Sequence, residues 1–396
     1  MRKRSLFVSC TVVFLVLIFT SAFGQVRGVT KEKIIAGAWV AMSGPLAYPG
    51  VSESTGHRTY YDFINGQGGV HGRKLEYISY NDDYSPPKSV AVAKKLVEKD
   101  EVFLFAEPMG TGPTIACLPV IKEFNVPTIN PGTGVPSVLK DNNLVFLCRL
   151  NYIDHMRLMV DYLVRDRKLK KIVLFGAKGE IGEITKQGAV ERLKKYGLEL
   201  LAYDDASPDD VDVTAQFNKF RSVGAEGVLI SATPKPASLM LQEMKKQSWD
   251  PVAFLYGAIT DQVPKMAKEA SIGVLVLHWI PTVDTALPGV EEHKKIMAKY
   301  APKAEVNEYT LIGYVGGKVA VEILKRTGRD VTVEKFIKAA ETLREFDTGT
   351  GIKITFTPTD HSGSKYGAIS MVKGPGDPEW KTLKLEKITG WMAVKD

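Results

Sequence analysis

The chain is poor in the side chains from which catalytic and metal sites are usually built. Its 396 residues include only three cysteines and six histidines, and the histidines show neither metal-ligand spacing nor an HExxH motif. No Gly-x-Ser-x-Gly sequence marks a hydrolase nucleophile. The acidic run at 204–212 lacks the alternating pattern of an EF-hand loop. We therefore expect a protein that is not an enzyme and that holds neither a metal nor a cofactor.

Long apolar runs are also scarce, and the sequence has one at its N-terminus. Arg2-Lys3-Arg4 precede an apolar stretch at 6–20, and the small residues at 21–24 offer a cleavage site before Gln25. This order is typical of a secretory signal peptide, here residues 1–24. No later stretch is long and apolar enough to span a bilayer. We expect the mature protein to be exported and soluble.

The scarcity of cysteine bears on the redox state of the mature chain. Cys10 lies within the N-terminal apolar run, so Cys117 and Cys148 remain after cleavage. Both lie in apolar settings and neither belongs to a framework of loops, so we expect two buried free thiols. A disulfide between them is the alternative in an oxidising compartment.

Basic and acidic residues are nearly equal in number, with 52 Lys and Arg against 45 Asp and Glu. The formal net charge is +7, and removal of the basic leader lowers it further. Lys and Glu are scattered rather than clustered, so we do not expect nucleic acid as a partner. We expect exposed charges such as Lys94-Lys95 and Lys245-Lys246 to be solvated, the alternative being that some of them dock a protein partner.

Short apolar runs alternate with helical segments along most of the chain. The length exceeds a single common core and favours two domains, and long helices between strands are typical of parallel sheets covered on both faces. We therefore predict an α/β fold of two lobes, each with a mostly parallel sheet flanked by helices. The predicted strands are 34–40, 75–80, 102–106, 126–129, 172–175, 198–203, 227–231, 253–256 and 273–278.

The last part of the chain breaks this alternation. The pattern at 290–300, 309–326 and 333–342 predicts three helices with no strand between them. We expect these helices to return to the first sheet. Strands predicted at 352–356, 366–372 and 382–388 would then rejoin the second.

This arrangement divides the chain into two discontinuous lobes joined by a three-strand hinge, like a clamp. The predicted bounds are 25–150 with 279–350 for the N-terminal lobe and 151–278 with 351–396 for the C-terminal lobe.

Two Gly-Thr-Gly turns are the most informative local motif. Gly110-Thr111-Gly112 follows one predicted strand and Gly132-Thr133-Gly134 follows the next. Each is predicted to begin a helix, and free backbone N–H groups beside a helix N-terminus form a cradle for an anion. Neighbouring parallel strands would bring both cradles to one crevice. We interpret them as a grip on the carboxylate of a small organic acid, the alternative being short connecting turns.

Four motifs in order resemble a known family. They are the Ser-Gly-Pro loop within 41–46, the pattern of Asn65, Gly68, Gly69 and Gly72, the pair Asp82-Asp83, and the turn at 110–114. In this order the chain resembles type I solute-binding proteins of the Leu/Ile/Val-binding family over essentially all of its mature length. The resemblance implies a periplasmic receptor that hands its ligand to an inner-membrane ABC permease and its ATPase. We expect a monomer without a cofactor.

The resemblance also implies ligand-contacting positions. It implies that the Thr111 hydroxyl binds the ligand carboxylate beside Gly110, and that the backbone of the second turn contacts the ligand. An aromatic residue falls at or beside Tyr48, and further positions fall between the lobes. The implied site residues are Tyr48, Gly110, Thr111, Gly132, Thr133, Gly134, Tyr152, Ile181, Thr233 and Tyr256.

Departures from the family pattern bear on the ligand. An amino-acid receptor needs an acid for the ammonium group, since a buried unpaired cation is very unfavourable. The matching stretch at 254–258 has none, and we expect the nearby Asp261 to cap the next helix. Ile181 and Thr233 stand where amino-acid receptors often carry a tyrosine. We therefore expect a carboxylic acid without an amine.

Tyr48, Tyr152 and Tyr256 offer flat walls that suit an aromatic acid, the alternative being that they are packing residues. Two other functions stay open, namely a branched-chain amino-acid receptor and a ligand-sensing subunit without transport. Arg149, at the end of a predicted strand, is interpreted as a structural ion pair across the hinge, with binding of the ligand carboxylate as the alternative.

Overall fold

The computed structural model describes residues 26–257 and 262–395. The expected leader at 1–24 and the expected helix cap at Asp261 lie outside these residues. The strands are β1 Lys33–Val40, β2 Lys74–Asn81, β3 Leu104–Ala106, β4 Thr128–Ile129, β5 Val145–Phe146, β6 Ile172–Ala177, β7 Leu200–Ala206, β8 Gly227–Ser231, β9 Val252–Leu255, β10 Leu275–His278, β11 Phe346–Asp347, β12 Lys353–Ile354, β13 Tyr366–Pro375, β14 Leu383–Lys387 and β15 Met392–Ala393.

The helices alternate with these strands over most of the chain. They are α1 Ala47–Gly66, α2 Pro86–Glu98, α3 Thr111–Glu123, α4 Tyr152–Asp161, α5 Glu180–Lys195, α6 Thr214–Ser222, α7 Pro234–Lys246, α8 Gln262–Ala267, α9 Pro288–Tyr300, α10 Glu308–Thr327 and α11 Val333–Ala340. In addition, short 3-10 helices span Pro136–Leu139 and Lys268–Ser271, and a π-helical turn spans Tyr162–Asp166.

The first sheet is parallel throughout and has the order β2-β1-β3-β4-β5. Its strands β1 and β3 are almost wholly buried, because helices cover both faces of a parallel sheet. All five strands therefore end at one edge, and the loops that follow them meet there.

The second sheet is mixed and has the order β14-β13-β10-β9-β8-β6-β7. Strands β6 to β10 pair in parallel, whereas β13 and β14 are antiparallel and β15 pairs with β13. The α/β fold with one mostly parallel sheet in each lobe is confirmed. The exact residue bounds of the two lobes stay a prediction.

Helices α9 to α11 return to the first sheet, as predicted. α1 and α10 pack at backbone distance, because a Cβ atom at Gly56 would lie 1.9 Å from the Thr310 carbonyl oxygen and one at Gly313 would lie 1.9 Å from the Glu53 carbonyl oxygen. The glycines of both helices thus permit the close approach. Phe103 of the first lobe meets Phe336 of α11 edge to face at 5.6 Å.

Two local predictions are wrong. The strand expected at 352–356 does not join the second sheet. Instead β12 pairs with β11 in a separate two-stranded sheet, and Phe356 packs on Phe146 with ring centroids 5.2 Å apart. The second Gly-Thr-Gly turn is followed by a 3-10 helix of 4 residues, Pro136–Leu139, and not by an α-helix. The segment between this turn and β5 is short and leaves little room for a longer helix.

The two cysteines of the mature chain are free thiols, as the sequence predicts. Cys117 and Cys148 are both buried and free. Within residues 26–257 and 262–395, no helix combines the length and the apolar character needed to cross a membrane.

Candidate functional site

A cavity of about 130 Å³ lies between the carboxyl ends of the two sheets. Each parallel strand of the first sheet is followed by at least one lining residue. Examples for β1 to β5 in turn are Leu46, Tyr84, Thr111, Gly132 and Arg149. From the second sheet, Ile181, Thr233, Tyr256 and Trp279 follow β6, β8, β9 and β10. The crevice at the strand ends is the usual ligand position in such folds.

Hydroxyl groups dominate the first wall of the cleft. Thr111 is the first residue of α3, and its Oγ1 lies 2.8 Å from Oγ1 of the buried Thr133. Oγ1 of Thr133 also accepts a hydrogen bond from the Val135 N–H at 3.2 Å. When Thr133 donates its own proton to Thr111, the Thr111 proton is left for donation into the cleft.

Two tyrosines stand beside these hydroxyls. Burial raises the pKa of Tyr84 to about 12, against a hydrogen bond from the backbone of Thr111. Burial also raises the pKa of Tyr152, against the positive charge of Arg149 and hydrogen bonds with the Gly134 backbone and the Thr111 side chain. Both phenols are therefore neutral and protonated near pH 7, so they can donate hydrogen bonds.

The glycines of the two turns make room for these tyrosine rings. A Cβ atom at Gly134 would lie 2.6 Å from the Tyr152 ring, and one at Gly110 would lie 2.4 Å from the Tyr84 ring. Gly110 also has a φ of 100°, which side chains disfavour. The role of these two glycines in the structure is thus to seat aromatic side chains.

The second wall is mainly apolar. Ile181 lies near the start of α5, and Thr233 precedes α7 with a buried hydroxyl that has no hydrogen-bond partner among the described residues. Tyr256 follows β9 and meets Tyr152 edge to face with ring centroids 5.6 Å apart. Trp279 donates from Nε1 to the Gly257 carbonyl at 3.1 Å. The aromatic rings of both walls therefore converge on one space.

Of the ten residues named from the sequence, six line the cavity. They are Thr111, Gly132, Tyr152, Ile181, Thr233 and Tyr256. The structure does not place Gly110, Thr133 and Gly134 in the lining, because they lie directly behind Thr111 and the tyrosines. Tyr48 also lies outside it, 38% exposed, with its hydroxyl 3.1 Å from both Glu305 and the Asn307 amide. Their roles in binding stay predictions.

A buried ionic cluster forms the floor of the first wall. Arg149 is only 7% exposed, and its Nη2 lies 3.3 Å from Glu53 and 3.5 Å from Glu107. The Asn130 amide donates to Glu107 at 2.8 Å, and the guanidinium carbon lies 5.1 Å from the Trp279 ring centre. The structural ion pair predicted for Arg149 is confirmed, but its partners belong to α1 and the end of β3 rather than to the opposite lobe.

Two carboxyl groups share this one guanidinium. Burial raises the pKa of Glu53 to about 7 and that of Glu107 to about 8, against the attraction of Arg149. His57 lies 3.5 Å from Glu107, and burial lowers its pKa to about 3, so the imidazole is neutral. Because two buried negative charges beside one positive charge are unfavourable, the pair of carboxyls retains a proton near neutral pH.

Several lining residues were not expected from the sequence. The stretch at 254–258 has no carboxylate, yet Glu53 and Glu308 both line the cavity from helices of the first lobe. Tyr84 had a usable signal, since it directly follows Asp82-Asp83 at the end of β2. Within the described ranges, no group of three or more His, Cys, Asp or Glu side chains is arranged to hold a metal ion.

Comparison of sequences places the chain among known binding proteins. A family model described as periplasmic binding protein matches residues 33–377. An amino acid binding protein of Pseudomonas aeruginosa is 25% identical over 308 residues, which cover 75% of this chain and 80% of the relative. A leucine-, isoleucine-, valine-, threonine- and alanine-binding protein of the same organism is 24% identical, over 78% of this chain and 82% of the relative.

Solved structures show the same fold. A fatty acid ABC transporter substrate-binding protein from Thermomonospora curvata has a TM-score of 0.80 at 22% identity, covering 91% of this chain and 93% of that one. A branched-chain amino acid ABC transporter protein from Thermus thermophilus, solved with bound valine, has a TM-score of 0.79 at 20% identity, covering 92% and 97%. The chain thus has the two-lobed type I fold and belongs to the periplasmic binding protein family of solute-binding proteins, with Leu/Ile/Val-binding proteins among its relatives.

Proposed function

We propose that this protein is an exported receptor for a small carboxylic acid without an amino group, most suitably an aromatic one. It works in the periplasm, where it delivers the acid to an inner-membrane ABC permease and its ATPase. The observation that carries the proposal is the first wall of the cleft, where neutral hydroxyl donors of Thr111, Tyr84 and Tyr152 adjoin a space bounded by aromatic rings.

The size of the cavity supports a ligand with one ring. Its volume of about 130 Å³ is close to the roughly 150 Å³ of an engineered apolar cavity that binds benzene. Tyr152, Tyr256 and Trp279 supply flat surfaces, and aromatic pairs prefer such edge-to-face and offset contacts.

The pairing of Glu53 with Arg149 supports an acid without an ammonium group. Glu53 lines the cavity, but its carboxyl is already paired with Arg149 at 3.3 Å. An ammonium group would have to compete with that guanidinium for the same oxygen atoms. A ligand that brings only a carboxylate and an apolar body does not compete with Arg149 for the Glu53 oxygen atoms.

A branched-chain amino acid is the second candidate. Glu308, in the first turn of α10, also lines the cavity and is a carboxyl that an ammonium group can approach. Relatives of this chain carry names that refer to amino acids, and some to leucine, isoleucine and valine.

Calorimetric titration separates these candidates. The mature protein is titrated with benzoate, phenylacetate, octanoate and leucine under the same conditions. We expect the two aromatic acids to bind with Kd values in the micromolar range or below, about −8 kcal/mol or stronger, and leucine not to bind. Tight binding of leucine without binding of the other three would contradict the proposed ligand class.

Mass spectrometry of the natively purified protein gives an independent test. We expect a co-purified acid of low mass that is released on unfolding. A released amino acid would favour the second candidate.

A further inference from the structure

The floor of the cleft carries more acid than base. Glu53 and Glu107 lie within 3.5 Å of one guanidinium nitrogen, and Arg149 is the cation that opposes the effect of burial on both carboxyls. A ligand carboxylate that enters this cleft adds a third carboxyl group to the two that already share the Arg149 guanidinium. Buried charges of one sign in excess are unfavourable, so the excess has to be neutralised.

The neighbouring imidazole and phenol groups do not take up this excess. The side chains that face Glu53 from the surrounding elements are His57 on α1, Tyr77 on β2, Tyr84 after β2, Glu107 after β3, Tyr152 on α4 and, across the cavity lining, Glu308 on α10. The imidazole is neutral and the three phenols are protonated near pH 7. Glu53 and Glu107 are thus the groups at the floor that can change charge there.

Arg149 retains an unused donor. Its Nε is buried and has no hydrogen-bond partner among the described residues, while the side chain lines the cavity next to Thr111 and Tyr152. A guanidinium can bind two carboxylates through different N–H groups. The side chain that lines the cavity beside the first-wall hydroxyls therefore keeps donor capacity beyond the Nη2 group that faces Glu53 and Glu107.

We propose that Arg149 anchors the ligand carboxylate and that Glu53 takes up one proton from solvent as it does so, which couples ligand binding to proton uptake. This inference rests on the proposed function, because it needs an anionic ligand. The proton adds to a carboxylate oxygen of Glu53, and no other bond is made or broken. The charge of the occupied cleft then equals that of the empty one.

The opposite sign of coupling distinguishes an amino-acid ligand. An ammonium group held by Glu53 requires the ionised carboxylate, so its binding releases a proton instead of taking one up. The affinity for such a ligand rises with pH. For a carboxylate anchored by Arg149 it falls as pH rises, because the proton that Glu53 needs becomes scarce.

Calorimetry in two buffers measures this coupling. Benzoate is titrated into the mature protein at pH 8 in Hepes and in Tris, whose ionisation enthalpies differ, so the difference in heat counts the protons exchanged. We expect uptake of about half to one proton, and a Kd for benzoate that rises by up to about tenfold per pH unit between pH 7 and pH 9. This measurement on the wild-type protein tests the proton uptake by itself, whether or not any variant folds.

Two matched variants locate the proton. Glu53→Gln should bind benzoate with most of the uptake lost. Asp62→Asn removes another carboxyl of α1 whose pKa is raised by burial but which does not line the cavity, and it should keep the full uptake. Thermal unfolding checks that both variants are folded.

The possible results have separate meanings. Benzoate binding with no exchange of protons, or with release, overturns the coupling and leaves the proposed function in place. Full uptake in folded Glu53→Gln overturns the assignment to Glu53. If none of benzoate, phenylacetate and octanoate binds, the proposed function fails and the inference fails with it.

Discussion

The two walls of the cleft differ in how their hydroxyl groups are satisfied. On the first wall, Thr111 is paired with Thr133, and the Tyr152 phenol adjoins the Gly134 backbone, all without a ligand. On the second wall, the Thr233 hydroxyl is buried with no hydrogen-bond partner among the described residues. A buried unpaired hydroxyl is unfavourable. The comparison indicates that the hydroxyl groups of the first wall find partners within the protein, whereas the described residues supply none for Thr233.

Loss of Arg149 should have the largest effect, because it removes the guanidinium that the buried carboxyls Glu53 and Glu107 share. We expect Arg149→Met to lower the free energy of unfolding at pH 8 by about 3 kcal/mol, the usual consequence of breaking a buried ion pair. Denaturant unfolding measures the change. Arg157→Met, which breaks a pair with Asp154 at the half-buried Arg157, should lower it by less than about 1 kcal/mol.

The pH dependence of this loss follows from the carboxyl groups. Both have pKa values raised from 4.5, to about 7 for Glu53 and about 8 for Glu107. The folded state therefore binds more protons than the unfolded state between about pH 4.5 and pH 8, and stability falls as pH rises through that window. At pH 5 the carboxyls are protonated and need no cation, so the effect of Arg149→Met should shrink. An equal loss at pH 5 and pH 8 would contradict the shared-proton account.

A methyl group behind the first wall should have the next largest effect. In Gly134→Ala the new Cβ would lie 2.6 Å from the Tyr152 ring, so the ring has to move into the cavity. We expect benzoate affinity to fall at least about tenfold, or about 1.4 kcal/mol, in calorimetry. Gly112→Ala is the matched control, because its Cβ would meet Pro86 at an ordinary 3.5 Å. Equal losses of benzoate affinity in both variants would argue against the role of Gly134 in making room for the Tyr152 ring.

Removal of a hydroxyl from the first wall should weaken binding moderately. Thr111→Val deletes the donor proposed for the ligand carboxylate and should reduce affinity by about 1–3 kcal/mol. Thr114→Val, on the same helix, deletes a buried hydroxyl that has no partner in the described part of the chain and that does not line the cavity. Benzoate titration of both variants should show a loss in the first alone.

The smallest effect is expected on the second wall. Thr233→Val should reduce benzoate affinity by about 1 kcal/mol or less. Without ligand, its free energy of unfolding should be equal to or higher than that of the wild-type protein. Calorimetry and denaturant unfolding measure the two quantities. A loss as large as that of Thr111→Val would remove the contrast between the walls.

Most of the fold was predictable because strand and helix periods are local properties of the sequence. The strand at Gly227–Ser231 is present with the predicted bounds, and the helix expected at 309–326 is present at Glu308–Thr327. The strand expected at 352–356 failed because its apolar residues Ile354 and Phe356 are buried by packing on the first lobe rather than by pairing in the second sheet. An apolar run does not reveal which neighbour buries it.

The site was predictable only where it follows strand ends. Thr111 and Thr233 come directly after strands, so their place in the crevice follows from topology. Glu53 lies one and a half turns into α1, a position that shows no periodic signal, and its pairing with Arg149 spans 96 residues. Tyr48 itself is outside the lining, although Leu46 and Pro49 on either side of it line the cavity, and its role in binding stays a prediction.

The backbone contact between α1 and α10 joins two helices that are far apart in the sequence into one side of the cleft. α1 supplies Pro49 and Glu53 to the cavity, and α10 supplies Tyr309 and Ile312. Helices that touch through glycine cannot slide past each other without first separating. These four side chains are therefore held on one rigid unit. The conformational entropy of arranging them is lost on folding and does not weaken the later binding of a solute.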